Sequence, residues 1–123
     1  LDVGLLGAMS ELPAESILEG NDIFVEFKGA LTEQYVLQQL ISDTPYTPYY
    51  YGNEKATFEQ DFLIQKAKSI VPIEVKAEQN IRSHSLKTYC EKFQPEEAVR
   101  FSTLKYKEQE RMVNIPLYAV CNL

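Results

Sequence analysis

Apolar residues recur at helical spacing over residues 21–42, NDIFVEFKGALTEQYVLQQLIS. Ile23, Phe27, Leu31 and Tyr35 form a stripe that Val36, Leu37, Leu40 and Ile41 widen. Asn21 and Asp22 stand where an N-cap is wanted. Upstream, ELPAESILEG reads as a short helix, with Pro13 in its first turn and Gly20 at its end. Downstream the period changes. SDTPYTPYYYGNEKA predicts a proline-broken loop, a strand near Tyr49–Tyr51 and a Gly52-Asn53 turn. TFEQDFLIQ and SIVPIEVKA alternate as strands do, and Pro72 assigns the second to a sheet edge or marks its start. IRSHSLKTYCEKF returns to helical spacing through Ile81, Leu86, Tyr89, Cys90 and Phe93. EEAVRFSTL predicts a strand, KYKEQERM a polar hairpin turn or short excursion, and VNIPLYAVCNL a final strand that Pro116 confines to an edge or that irregular chain continues. This order predicts a mixed α/β domain with a central sheet.

Composition narrows the class. A chain of 123 residues with 45% hydrophobic positions is expected to form one domain around a real core. No apolar run approaches the roughly 20 residues that span a bilayer. LDVGLLGAM lacks an initiating Met, a basic n-region and a small-residue cleavage site, so it is no signal peptide. Beginning inside an apolar stretch, the chain is expected to be the C-terminal part of a longer protein, with residues 1–20 closing a preceding helical segment. Cys90 and Cys121 form no CxxC pair, which fits a reduced, cytoplasmic protein with free thiols. The net charge of −6 disfavours a generic nucleic-acid binder. The halves differ: residues 1–61 carry 2 basic and 11 acidic side chains, and residues 62–123 carry 10 and 7. An acidic site beside a basic flank, or plain surface variation, would give this asymmetry.

The candidate chemistry lies in two strands and a helix. Side chains two apart on a strand share a face, so Glu59 and Asp61 point one way and Phe58, Phe62 and Ile64 the other. Glu74 and Lys76 likewise oppose Val71, Ile73, Val75 and Ala77. A hairpin turning at Ala67-Lys68 sets Asp61 against Glu74 and Glu59 against Lys76. Opposed Cβ atoms are then about 4.5–5.5 Å apart, within reach of one divalent ion. A two-residue slip keeps this cluster, and a one-residue slip destroys it. Glu33 has Gly29, Ala30, Val36 and Leu37 as helical neighbours, which predicts a carboxylate on the core side. Crowded carboxylates call for a cation, and oxygen-only ligands suit Mg²⁺ or Mn²⁺. A lysine beside that ion could stabilise charge on a phosphate. The alternative is a solvated strand face carrying an ordinary Glu–Lys pair.

These motifs carry a resemblance. A helix with Glu33, then EQD, IEVK and a further helix resemble the PD-(D/E)xK restriction-endonuclease-like superfamily. Over almost the whole chain, LDVGLLGAM, FKGALTEQYVLQQL, YYY, EQDFLI, VPIEVKA and SLKTYCEKF resemble a domain of unknown function found C-terminal to AAA-type ATPase modules in prokaryotic proteins. The resemblance implies a restriction-endonuclease-like core with a mixed sheet flanked by helices. It also implies Asp61, Glu74 and Lys76 as the catalytic and metal-binding set, joined by Glu33 and Glu59, and an upstream ATPase. Gln60 departs from a usually aliphatic position. YYYGN replaces an expected tryptophan–arginine pair, which puts in doubt any phosphate contact that the arginine would make.

Two functions remain open. The first is a Mg²⁺- or Mn²⁺-dependent hydrolase of a nucleic-acid phosphodiester, in DNA or RNA. The second is a non-catalytic module binding nucleic acid or protein for the ATPase. His84, on a polar helix start, has no assigned role. Arg82 and Lys87 suit either a phosphate or solvent, and Tyr46, Tyr49, Tyr50 and Tyr51 either base stacking or packing. No GxxxxGK[ST] sequence occurs, so the chain has no Walker A route to ATP hydrolysis.

Overall fold

The computed structural model describes residues 2–10, 22–52, 58–78 and 84–123. The expected helix over 11–20, Asn21 of the cap, Asn53 of the turn and the residues Ile81 and Arg82 lie outside them. Three α-helices are described: α1 (Val3–Met9), α2 (Asp22–Asp43) and α3 (His84–Phe93). The strands are β1 (Tyr49–Tyr51), β2 (Gln60–Lys66), β3 (Ser69–Lys76), β4 (Ala98–Ser102), β5 (Lys107–Gln109) and β6 (Met112–Pro116). A 3₁₀ segment, Leu117–Asn122, follows β6.

The strands form one mixed six-stranded sheet in the order β1-β2-β3-β4-β6-β5. β2 and β3 are an antiparallel hairpin in the expected register, Phe62 facing Ile73 and Lys66 facing Ser69. Its two-residue loop lacks Asn-Gly. Ala67 instead takes the left-handed conformation itself, at φ 55°. β3, β4 and β6 run parallel. A parallel pair needs a crossover, and α3 supplies it between β3 and β4.

Alternation along the strands separates the two faces. Phe62, Ile64, Val71, Ile73, Val75, Val99 and Phe101 share one face, and all join a single apolar core with Val36 and Leu40 of α2 and Val120 of the 3₁₀ segment. α3 turns Leu86 and Tyr89 inward. α1 lies in the stretch expected to close a preceding helical segment and is capped by Asp2, whose carboxylate accepts from the Leu5 amide at 3.0 Å. The Val3 amide donates to Gln38 Oε1 at 2.9 Å and ties α1 to α2.

Four expectations need correction. Pro72 lies within β3, a central strand. It precedes the first β3–β4 partners, Ile73 and Val99, so the missing N–H costs that ladder nothing. β6 is internal rather than an edge, and the other expectation holds there: the strand ends at Pro116 and the chain continues outside the sheet, in the 3₁₀ segment. KYKEQERM contains a strand: β5 pairs with β6 and takes the edge, where polar residues are tolerated. Ile41 is 64% exposed, since the α2 stripe narrows after Leu40.

Candidate functional site

Glu74 is the most confined ionisable group of the sheet. Its side chain is 3% exposed, in the middle of β3, with Arg100 as its partner on β4. Such a carboxylate must be paired, and two cations serve it. Arg100 Nε approaches Glu74 Oε2 at 3.4 Å, and Lys76 Nζ lies 3.7 Å from Oε1. Arg100 is itself 7% exposed, whereas Lys76 is one-third exposed and reaches toward solvent.

Asp61 stands one step beyond the last β2–β3 rung, opposite Glu74 by the same register. Its Oδ2 accepts the Val75 amide at 2.7 Å, taking over a backbone position as the two strands part. Among the described residues no hydrogen bond reaches its Oδ1. Burial pushes the Asp61 carboxyl up, and the charge of Glu74 adds to that. The Val75 hydrogen bond and Lys76 pull the other way.

Glu33 does not face the core. Its residue is exposed, because its helical neighbours straddle the rim of α2: Ala30 is exposed while Val36 is buried. It still senses the site. Desolvation raises its pKa first, Asp61 second, and Lys76 opposes both. Glu59 does not meet Lys76 in the ladder. β2 begins at Gln60, the Phe62–Ile73 pair comes first, and Glu59 is exposed beside Gly52. The cluster expected from five residues is therefore a tight set of Asp61, Glu74 and Lys76, with Glu33 near and Glu59 apart.

Two residues were missed. Arg100 sits between Val99 and Phe101 in a fully buried strand, and a charge in that position signals a buried partner. Asn114 continues the same row across β6. It accepts from Ser102 Oγ at 2.7 Å and donates to the Leu104 and Lys105 carbonyls at 3.3 and 3.0 Å, fixing the start of the β5 excursion. Gln60 fills its unusual position by donating to the Ile73 carbonyl at 2.7 Å, which leaves its own Oε1 buried without a partner.

Residues 28–120 match the family described as Domain of unknown function (DUF4143). The chain belongs to this family. Comparison with curated proteins and with solved structures gives no match. The DUF4143 match spans α2 from its middle, the whole sheet and α3, so every candidate residue falls within it.

The donor set of this DUF4143 domain can be tested against a metal ion. Among the described residues no three His, Cys, Asp or Glu side chains are grouped to hold one together. An all-protein cage, as zinc or calcium would favour, does not fit. Mg²⁺ commonly takes one or two carboxylates and completes its shell with water and phosphate oxygens. Asp61 and Glu74 fit that demand.

The tyrosines divide. Tyr51 packs among Phe58, Tyr89 and Phe93 with ring centres 5.6 to 5.9 Å away. Tyr49 and Tyr50 are 59% and 71% exposed. No described helix is long and apolar enough to cross a membrane.

Proposed function

We propose that this domain performs Mg²⁺- or Mn²⁺-assisted hydrolysis of a nucleic-acid phosphodiester on a restriction-endonuclease-like sheet, beside an AAA-type ATPase. One observation carries the reading: Asp61 and Glu74 oppose each other across the hairpin, with Lys76 on the same face. Asp61 is disfavoured as an anion by burial and by Glu74, a penalty that a bound cation would reverse. Asp61 and Glu74 would hold the ion. When bound, it polarises a phosphate oxygen and acidifies water. Lys76, one-third exposed, orients the attacking water and balances charge growing on the phosphate. Glu33, at the rim, would reach the ion directly or through water.

A second reading has its own support. Arg100 already neutralises Glu74 from the adjacent strand, as expected where a nuclease sheet serves only as a binding module. Calorimetric titration of Mn²⁺ separates the two. Wild type should give saturable heat and Asp61→Ala none; equal heats, or none from either, reject the metal site. Lys76→Ala should lower cleavage of a DNA or RNA strand by about two orders of magnitude. Undiminished cleavage by that variant would assign the activity to a contaminant.

A further inference from the structure

The described surface carries a second feature that the carboxylate site does not use. A cleft of about 630 Å³ opens between α3 and the β5–β6 hairpin. Leu86, Cys90 and Met112 form its apolar walls, and Arg100, Arg111 and Lys87 bring three cations to it. Glu110 is the acidic residue lining it, and the charge of Glu74, which pairs with Arg100, also reaches Cys90. Glu91, which lines the adjoining depression with Lys87 and Arg111, lies 3.8 Å from Lys87 as an exposed ion pair.

Position matters as much as sign. Arg100 is nearly buried and reaches Glu74 with Nε, so it forms a fixed floor rather than a swinging surface charge. Arg111 and Lys87 are exposed at the mouth. Fixed guanidinium below, mobile cations above and apolar walls between are complementary to a molecule with an anionic head and an apolar body. The volume lies within the range of small-molecule sites and far exceeds a bare phosphate ion.

We propose that this cleft binds a phosphorylated organic molecule of nucleotide size, its phosphate held by Arg111 and Lys87 at the mouth and its ring body laid against Leu86, Cys90 and Met112 above Arg100. The proposal does not depend on the metal reading. Its links to that site are Arg100, which floors the cleft and pairs with Glu74, and Cys90, whose thiol the Glu74 charge reaches.

Adenosine 5′-monophosphate is the probe, titrated into the full chain and followed by amide chemical shifts. Saturable shifts at Leu86, Cys90 and Met112 are expected, with affinity weakened about tenfold in Arg111→Glu and again in Lys87→Glu. Both residues are exposed, so the variants keep the fold. A 5′-phosphorylated oligonucleotide that binds more tightly than the mononucleotide at the same amides would identify a strand end as the source; equal or weaker binding identifies the free nucleotide. Inorganic phosphate should bind more weakly than the nucleotide, and octanoate should fail to compete. Shifts unchanged by Arg111→Glu, phosphate binding as tightly as the nucleotide, or no saturation at millimolar probe would each overturn the proposal.

Discussion

The two faces of the sheet solve opposite problems with the same backbone. Under α2, Phe62, Ile64, Ile73, Val99 and Phe101 are buried to 2% exposure or less and carry no side-chain polar atom. Under α3, the row Glu74, Arg100 and Asn114 is buried almost as deeply but is built from charge and amide groups. The apolar face is stabilised by removing surface from water, each methylene contributing independently. The polar face is stabilised only while its members stay paired, and a missing partner turns the remainder into a penalty. One face is additive in volume, the other conditional on company. That conditionality makes the polar row a candidate for chemistry, since its groups are held in place and still able to respond to a cation or a phosphate.

The sharpest way to break the comparison is to treat both faces alike. Phe101→Ala, on the apolar face, should cost up to about 5 kcal/mol in denaturant unfolding, because the ring is fully enclosed and its cavity cannot collapse. No second substitution on that face should restore it. Arg100→Leu should cost about 3 kcal/mol, since Lys76 remains to serve Glu74 from its exposed side. Adding Glu74→Leu should then recover most of that loss, because an apolar pair of similar volume replaces the ion pair. Additive losses in the double variant would mean that the polar row behaves as ordinary packing.

The apolar face was legible in the sequence and the polar one only in part. Alternation in TFEQDFLIQ and SIVPIEVKA gave the hairpin, its turn at Ala67-Lys68 and the opposition of Asp61 and Glu74. Period and register are local properties, and a buried face enforces them. Which strand is internal depends on partners far along the chain. Pro72 and Pro116 were therefore each read as marking an edge or a strand boundary, a local rule that the parallel ladder beside Pro72 sidesteps and the end of β6 at Pro116 obeys. Arg100 escaped notice because its meaning comes from Glu74, 26 residues earlier, and no spacing rule joins them. Glu33 was misjudged for a related reason. Small neighbours mark the rim of a helix as readily as its buried side, and only the docking of α2 decides between them.

The smallest effect tests whether the polar row is complete without a ligand. In the fold both Asp61 and Glu33 hold their protons to higher pH than their ordinary values of 3.8 and 4.5. Between those values and the raised ones, the folded state binds more protons than the unfolded chain. Stability from these two groups therefore falls as pH rises through the window, and is greatest on its acid side. Asp61→Asn removes the larger burial penalty, so its stability should change less steeply than wild type as pH rises above the ordinary aspartate value of 3.8. The Val75 amide keeps an acceptor in that variant, which isolates charge from hydrogen bonding. Identical slopes would show that Asp61 carries no net penalty. Added Mn²⁺ should flatten the wild-type profile at its neutral end and leave Asp61→Asn unmoved, since an ion shared by Asp61 and Glu74 removes the repulsion that protonation otherwise relieves. A wild-type profile indifferent to Mn²⁺ would leave Arg100 and Lys76 as the whole of the counter-charge, and the polar row would then be a structural pairing like the apolar face it was set against.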